Sequence, residues 1–256
     1  MSSRRYSMTP LIPLKEIVKR IDLLITRGYI REWKRRISLA GRICSLKKDC
    51  SSYPDLNQAI DALKRSNAIT LLQKKSETLN FLNATGNLNP KNICEIGGAQ
   101  GGTLFLFCRI ASPAARILSV DINYASHQAW AFQKFFGSGR QVRCLSGDSH
   151  SEVTRSNVRE FFQGEKLDVL FIDGDHSLAG VSKDYAMYGS LVRKGGIIGF
   201  HDIVPDYRTR FGKVTDSYVG EVPQFWKMLK SAHPNKTYEI IEDPDQDGFG
   251  IGVLEV

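Results

Sequence analysis

At 256 residues the chain has room for one large domain, or for a domain with an appendage. Hydrophobic residues make up 42% and charged residues 24%, a globular balance, and no apolar run is long enough for a membrane-spanning helix. The net charge of +8 resides in the first 50 residues, where 13 Lys/Arg face 4 Asp/Glu; the remainder, with 22 against 23, has no cationic surplus for gripping a nucleic-acid backbone, and no nucleic-acid partner is expected.

In chain order, the opening MSSRRYSMTPLIPLKEIVKR carries charges where a signal peptide needs an uninterrupted apolar region. Five cysteines, Cys44, Cys50, Cys94, Cys108 and Cys144, form no CxxC pair, and an odd count without a secretory signal fits free thiols and a cytoplasmic location. Residues 11–43 place Leu14, Ile17, Val18, Ile21, Leu24, Ile25, Ile30, Trp33 and Ile37 at helical spacing between lysines and arginines. Gly28 is predicted to divide this stretch into two helices. A basic amphipathic helix suits an anionic membrane, a partner subunit or a second copy, or simply a cap on the domain. The polar break CSSYPDLNQ marks a boundary, giving a basic helical appendage over 1–54 and a main domain over 55–256.

Residues 55–84 read as one further helix, with Ile60, Leu63, Ile69, Leu72 and Leu79 apolar. From Asn92 the texture changes to short strands alternating with helices: NICEIG, RILSVDI, VRCLSG, DVLFID and GGIIGFHD. Such alternation predicts an α/β fold with parallel pairing, because parallel strands need crossover helices. TYEIIED and GFGIGVLEV flank the turn PDQDG and predict a closing antiparallel hairpin.

The first strand leads into ICEIGGAQGGTLFLF, where Gly97, Gly98, Gly101 and Gly102 allow a sharp turn and close approach of a ligand to the start of a helix. Asp121, at the tip of the second strand, is placed to accept hydrogen bonds from ribose hydroxyls. The combination suits a nucleotide-like cofactor without deciding which, since NAD enzymes use the same logic, usually with GxGxxG. Here the loop runs Glu95-x-Gly97-x-x-x-Gly101. That form resembles the class I S-adenosylmethionine-dependent methyltransferases, whose second and third strands end in acidic residues, matched by Asp121 and by Asp148 in CLSGDS. The resemblance implies a doubly wound, mostly parallel seven-stranded sheet with an antiparallel last strand, the Rossmann-like methyltransferase fold. It implies S-adenosylmethionine as cofactor, with Glu95, Gly97, Gly98, Gly101, Asp121 and Asp148 binding it. Asp148 also suits a plain helix cap.

The fourth strand ends in DVLFIDGDHS and the fifth in GFHDI. In a parallel sheet two adjacent strand ends share one crevice, so charges at both mark a site. This stretch resembles the metal-dependent catechol and sugar O-methyltransferases, including those acting on macrolide deoxysugars and their cephalosporin-hydroxylase-like relatives. Carried over residue by residue, the resemblance makes Asp173 the first metal ligand and His176 the general base, with His201 and Asp202 completing the ligands. It departs at His201, where those relatives place a carboxylate; imidazole suits transition metals better than magnesium. Asp175 has no counterpart in the resemblance.

The expected function is O-methyl transfer to a hydroxyl of a small molecule or sugar, in secondary metabolism or glycan modification, with a divalent metal, magnesium or a transition metal, assisting. A binding or scaffold protein that keeps the fold is the alternative; an NAD-dependent oxidoreductase fits the loop spacing and terminal hairpin less well. The segment DYRTRFGKVTDSYVGEVPQFWKMLK, with Tyr207, Arg208, Arg210, Phe211 and Tyr218, is expected to cover the acceptor, and Phe225, Trp226 and Leu229 to pack on the sheet.

Overall fold

The computed structural model describes residues 14–51 and 55–256, with side chains placed over 25–50 and from 55 onward. The readings made on the opening residues, on the apolar positions before Ile25 and on the proline of the 50–58 break lie outside the described residues.

Seven strands form one sheet in the order β3-β2-β1-β4-β5-β7-β6. The first five, β1 (Asn92–Ile96), β2 (Arg116–Asp121), β3 (Gln141–Ser146), β4 (Leu167–Ile172) and β5 (Val192–His201), are parallel, as the alternating pattern predicts. β7 (Ile251–Glu255) runs antiparallel between β5 and β6 (Thr237–Ile240), so the terminal hairpin closes the sheet. β1 and β4 are buried along nearly their whole length because helices cover both faces.

Those helices are α4 (Gly102–Ile110), α5 (Ser126–Phe135), α6 (Glu152–Phe161), α7 (Leu178–Tyr188) and α9 (Val222–Ala232), with the short α8 (Tyr207–Phe211) before the last. Two apolar clusters, one per face, form the core. Phe81, Phe107 and Phe171 meet in one, and Phe200, Phe225 and Trp226 in the other. Phe225, Trp226 and Leu229 are buried on the sheet, as expected from the spacing.

Two helical readings need correction. α1 runs unbroken through Leu14–Ser51, Gly28 included. Among the described residues nothing lies within 4 Å of a Cβ built on Gly28, and one glycine costs a helix only about 1 kcal/mol relative to alanine, too little to break a helix of this length. Residues 55–84 instead form two helices, α2 (Leu56–Arg65) and α3 (Lys75–Gly86). Between them the chain is non-helical: the Ser66 hydroxyl accepts the Ala68 N–H at 3.0 Å in a bend, Thr70 forms a parallel bridge with Gly101, and Leu72 is exposed.

Leu39, Ile43, Leu46 and Cys50 of α1 are buried in the same cluster as Ile60 and Leu63 of α2 and Phe105 and Phe136. Among the described residues no helix is long and apolar enough to cross a membrane.

Candidate active site

Strand register assembles the site. Ile96 is level with Val120 on one side and with Ile172 on the other, and Ile172 is level with Phe200. The residues that follow, Gly97, Asp121, Asp173 and His201, therefore emerge side by side at the carboxyl edge of the sheet. The strand order reverses between β1 and β4, the switch point where open α/β sheets bind ligands.

Backbone sterics explain the glycines. Gly97 has φ +91°, and a Cβ on it would sit 1.9 Å from the Asp173 carbonyl oxygen. Gly101 has φ +79° as it opens α4, and a Cβ there would strike the Phe132 ring at 2.6 Å. The resulting turn borders a crevice of about 400 Å³ lined by Gly97, Ala99, Asp121, Asp148, Asp173 and Asp175, among others. Asp121 accepts the Ala99 N–H at 2.8 Å and the Asn123 N–H at 2.9 Å, which ties the tip of β2 to the glycine turn. Asp148 is exposed at the opposite wall and accepts the His150 N–H at 2.8 Å; the cap of α6 is Ser151, not Asp148.

Glu95 lies elsewhere. It is fully buried beneath the turn, where the Ser119 hydroxyl donates to it and also bonds the Tyr124 hydroxyl. Burial pushes its carboxyl up to about 8, against the lowering effect of the Ser119 bond. Neither Glu95 nor Gly101 lines the crevice or the cavity beside it.

That second cavity, about 340 Å³, shares Gly97, Ala99 and Asp173 with the crevice and adds Gly98, Gln73, His176, His201, Asp202, Tyr218 and Phe249. Around it the ionisable groups form one network. His201 Nδ1 lies 3.2 Å from Asp173 Oδ1 and 3.3 Å from Asp202 Oδ1. His176 Nε2 lies 3.6 Å from Asp173 Oδ1, and its Nδ1 lies 3.7 Å from Asp202 Oδ2. Asp202 takes up φ +62°, a left-handed conformation that aspartate tolerates better than most residues and that turns its carboxylate back toward the two imidazoles.

Although burial opposes it, the facing Asp173 and Asp202 push His201 up to about 10. The same network holds Asp173 well below the usual carboxylate range despite its burial, and Asp173 raises His176. One donor atom each from Asp173, His201 and Asp202 lie within 4.8 Å of one another, and His201 Nε2 is buried with no hydrogen-bond partner. Two carboxylates and an imidazole fit a divalent cation; the imidazole shifts the preference from magnesium toward iron, nickel or zinc.

His176 Nδ1 lies 3.0 Å from the Tyr218 carbonyl, and the two rings stack 5.7 Å apart at 12°. With Nδ1–H donated to that carbonyl, the Nε2 lone pair is left toward the cavity. Asp175 accepts the Ser177 N–H at 2.9 Å, an arrangement that turns the chain into α7 and lowers its own pKa.

Sequence reasoning missed Gln73. Its amide donates to Asp173 Oδ2, 100 residues along the chain, at 2.7 Å and its carbonyl accepts from the Thr103 hydroxyl at 3.2 Å, so it links α4 to the mouth of β4. Nothing in its neighbours signals the role, because the segment reads as helix. The segment after β5 divides in function. Asp216, Ser217 and Tyr218 line the second cavity, whereas Arg210 turns to Asp245 at 2.8 Å and Phe211 is exposed. Of the residues named in the segment expected to cover the acceptor, Tyr218 lines that cavity, whereas Tyr207, Arg208, Arg210 and Phe211 do not.

A family model described as a methyltransferase domain matches residues 94–203, the span that holds the glycine turn, Asp121, Asp173 and His201. An uncharacterised protein of Acanthamoeba polyphaga mimivirus is 34% identical over 160 residues, covering 58% of this chain and 71% of its own length. Among solved structures, a putative caffeoyl-CoA O-methyltransferase from Staphylococcus aureus superposes with TM-score 0.58 at 17% identity, covering 83% of this chain and 98% of that one. The O-methyltransferase TomG from Streptomyces achromogenes, involved in tomaymycin synthesis and solved with S-adenosylmethionine, gives 0.55 at 15% identity over 80% and 94% of the two chains. An O-methyltransferase from Bacillus cereus, solved with S-adenosylhomocysteine, gives 0.55 at 15% over 85% and 100%.

Proposed function

This chain belongs to the methyltransferase family of Rossmann-like fold, and we propose that it transfers a methyl group from S-adenosylmethionine to a hydroxyl of a small molecule or sugar. The observation that carries this reading is the junction of the two cavities at Gly97, Ala99 and Asp173, which sets a donor crevice directly beside a basic imidazole.

In this reading the donor's ribose lies on Asp121, its adenine toward Asp148, and its amino-acid end against the backbone of Gly97, Gly98 and Ala99. Glu95 acts from below, holding the floor of the turn through Ser119. The acceptor hydroxyl sits in the second cavity beside His176. His176 Nε2 takes the hydroxyl proton, the oxygen attacks the sulfonium methyl, the carbon–sulfur bond breaks, and S-adenosylhomocysteine leaves. Holding donor and acceptor in line supplies much of the acceleration, since effective molarities of about 10⁵–10⁸ M are attainable. Asp173, His201 and Asp202 would hold a divalent cation, which supplies charge to lower the acceptor's pKa. Tyr218, stacked on His176, bounds the acceptor space and is the residue we assign to acceptor shape. With five free thiols among the described residues, we place the enzyme in the cytoplasm.

Calorimetric titration tests the donor assignment. S-adenosylhomocysteine is expected to bind and NAD not to, and Asp121→Ala should weaken S-adenosylhomocysteine by tenfold or more, about the worth of a hydrogen bond to a charged group. Binding of NAD in preference, or an unchanged affinity in the variant, contradicts the proposal.

A further inference from the structure

We infer that the stretch of α1 from Ile25 to Ile37 is a docking surface for an anionic phospholipid membrane. Ile25, Tyr29, Trp33 and Ile37 recur every fourth residue, so they stand in one row along the helix, with Ile30 beside them. All five are more than half exposed, Tyr29 at 75% and Trp33 at 58%, and no described residue covers them. An apolar row of this size, with an indole and a phenol in it, is unusual on free surface. Tryptophan and tyrosine are the side chains that favour a bilayer's headgroup level.

Charge selects the occupant. Between residues 25 and 37 there are five cations, Arg27, Arg31, Lys34, Arg35 and Arg36, and one carboxylate, Glu32. Glu32 is already engaged by Ser126, His127 and Arg36. A second copy of the helix laid on this row would bring Arg27, Arg31, Lys34 and Arg35 against the same four cations, with the one carboxylate, Glu32, already engaged. A membrane carrying phosphatidylserine meets both features, the apolar row entering the interface and the flanking arginines and lysine reaching the phosphates.

Packing on α5 fixes where the row sits. Glu32 contacts the first residues of α5, whereas Lys47, further along α1, donates to the carbonyl of Phe135 at the end of α5. The two helices therefore run side by side in the same direction. α5 begins just after β2, at the carboxyl edge of the sheet, so residues before Glu32 project beyond that edge. The crevice and its neighbour open at that same edge.

Co-sedimentation of the full chain with vesicles tests the inference, using phosphatidylcholine alone and phosphatidylcholine mixed with phosphatidylserine. Binding to the mixed vesicles is expected to be at least about tenfold stronger and to weaken as salt rises. The double variant Tyr29→Ser/Trp33→Ser should lose about tenfold or more in binding, from the apolar burial it forgoes. Arg27→Gln/Arg31→Gln/Lys34→Gln should bring mixed vesicles down to the level of neutral ones. These side chains are exposed, so an unchanged melting temperature and unchanged S-adenosylhomocysteine affinity are expected in both. Should either variant fail to fold, a blue shift of tryptophan emission in the native chain on adding mixed vesicles carries the same information. Absence of binding, equal binding to both vesicles, or binding indifferent to the variants overturns the inference. So does a dimer in light scattering that Tyr29→Ser/Trp33→Ser dissolves, which assigns the row to a second copy.

Discussion

Glu95 and His176 are both ionisable groups near the reaction edge, and their surroundings set them opposite tasks. Glu95 is sealed beneath the glycine turn and held up to about 8 by burial, so near neutral pH it is mostly a neutral acid. In the unfolded chain its pKa is about 4.3. The native state therefore binds more protons than the unfolded state between those values, and its contribution to stability falls as pH rises from about 4.3 through 8. Glu95→Gln keeps an acceptor for Ser119 without an ionisable proton. Chemical denaturation at pH 5 and pH 8 should show the variant gaining relative to the native chain as pH rises, with S-adenosylhomocysteine still bound. An unchanged difference across that range would mean that Glu95 is not the buried acid described. His176, in contrast, reaches the cavity, and Asp173 raises it. His176→Ala should abolish turnover and leave donor affinity intact; full activity in the variant would assign the proton to another group. Residue types and spacing made the DGDH and HD clusters legible in the sequence, because charges at strand ends have few structural uses. Gln73 was illegible, since its partner Asp173 lies far along the chain and only the fold brings them together.

Among the elements, the strands were the easiest to read. Each is a short apolar run bounded by turn residues, and burial on both faces demands that composition. Helix limits were harder. Gly28 looked like a break because glycine is a poor helix former, yet its cost is small against the rest of a helix spanning Leu14–Ser51. The non-helical stretch between α2 and α3 contains neither glycine nor proline, and Thr70 within it bridges to Gly101, a partner that no local pattern reveals. The burial pattern of α1 has a consequence for stability. Ile43→Ala should cost about 2–5 kcal/mol, since Ile43 is fully buried with the main-domain core, while Ile30→Ala should fall within about 0.5 kcal/mol of the native chain. Equal and small effects on urea denaturation would show that α1 does not contribute to the domain's core and would favour an independent appendage ending near residue 54.

For the whole molecule, the sheet order places the reversal point between β1 and β4, and the matched register of four strands brings Gly97, Asp121, Asp173 and His201 to one edge. The two cavities proposed for donor and acceptor open at that edge, and the residues of α1 before Glu32 project beyond it. Everything proposed about catalysis requires the donor's sulfur to lie where the two cavities meet. A crystal structure of the chain with S-adenosylhomocysteine measures this directly. The account expects the ribose on Asp121 and the sulfur at the shared wall of Gly97, Ala99 and Asp173, directed toward His176; a ligand bound outside the crevice, or a sulfur turned away from His176, contradicts it.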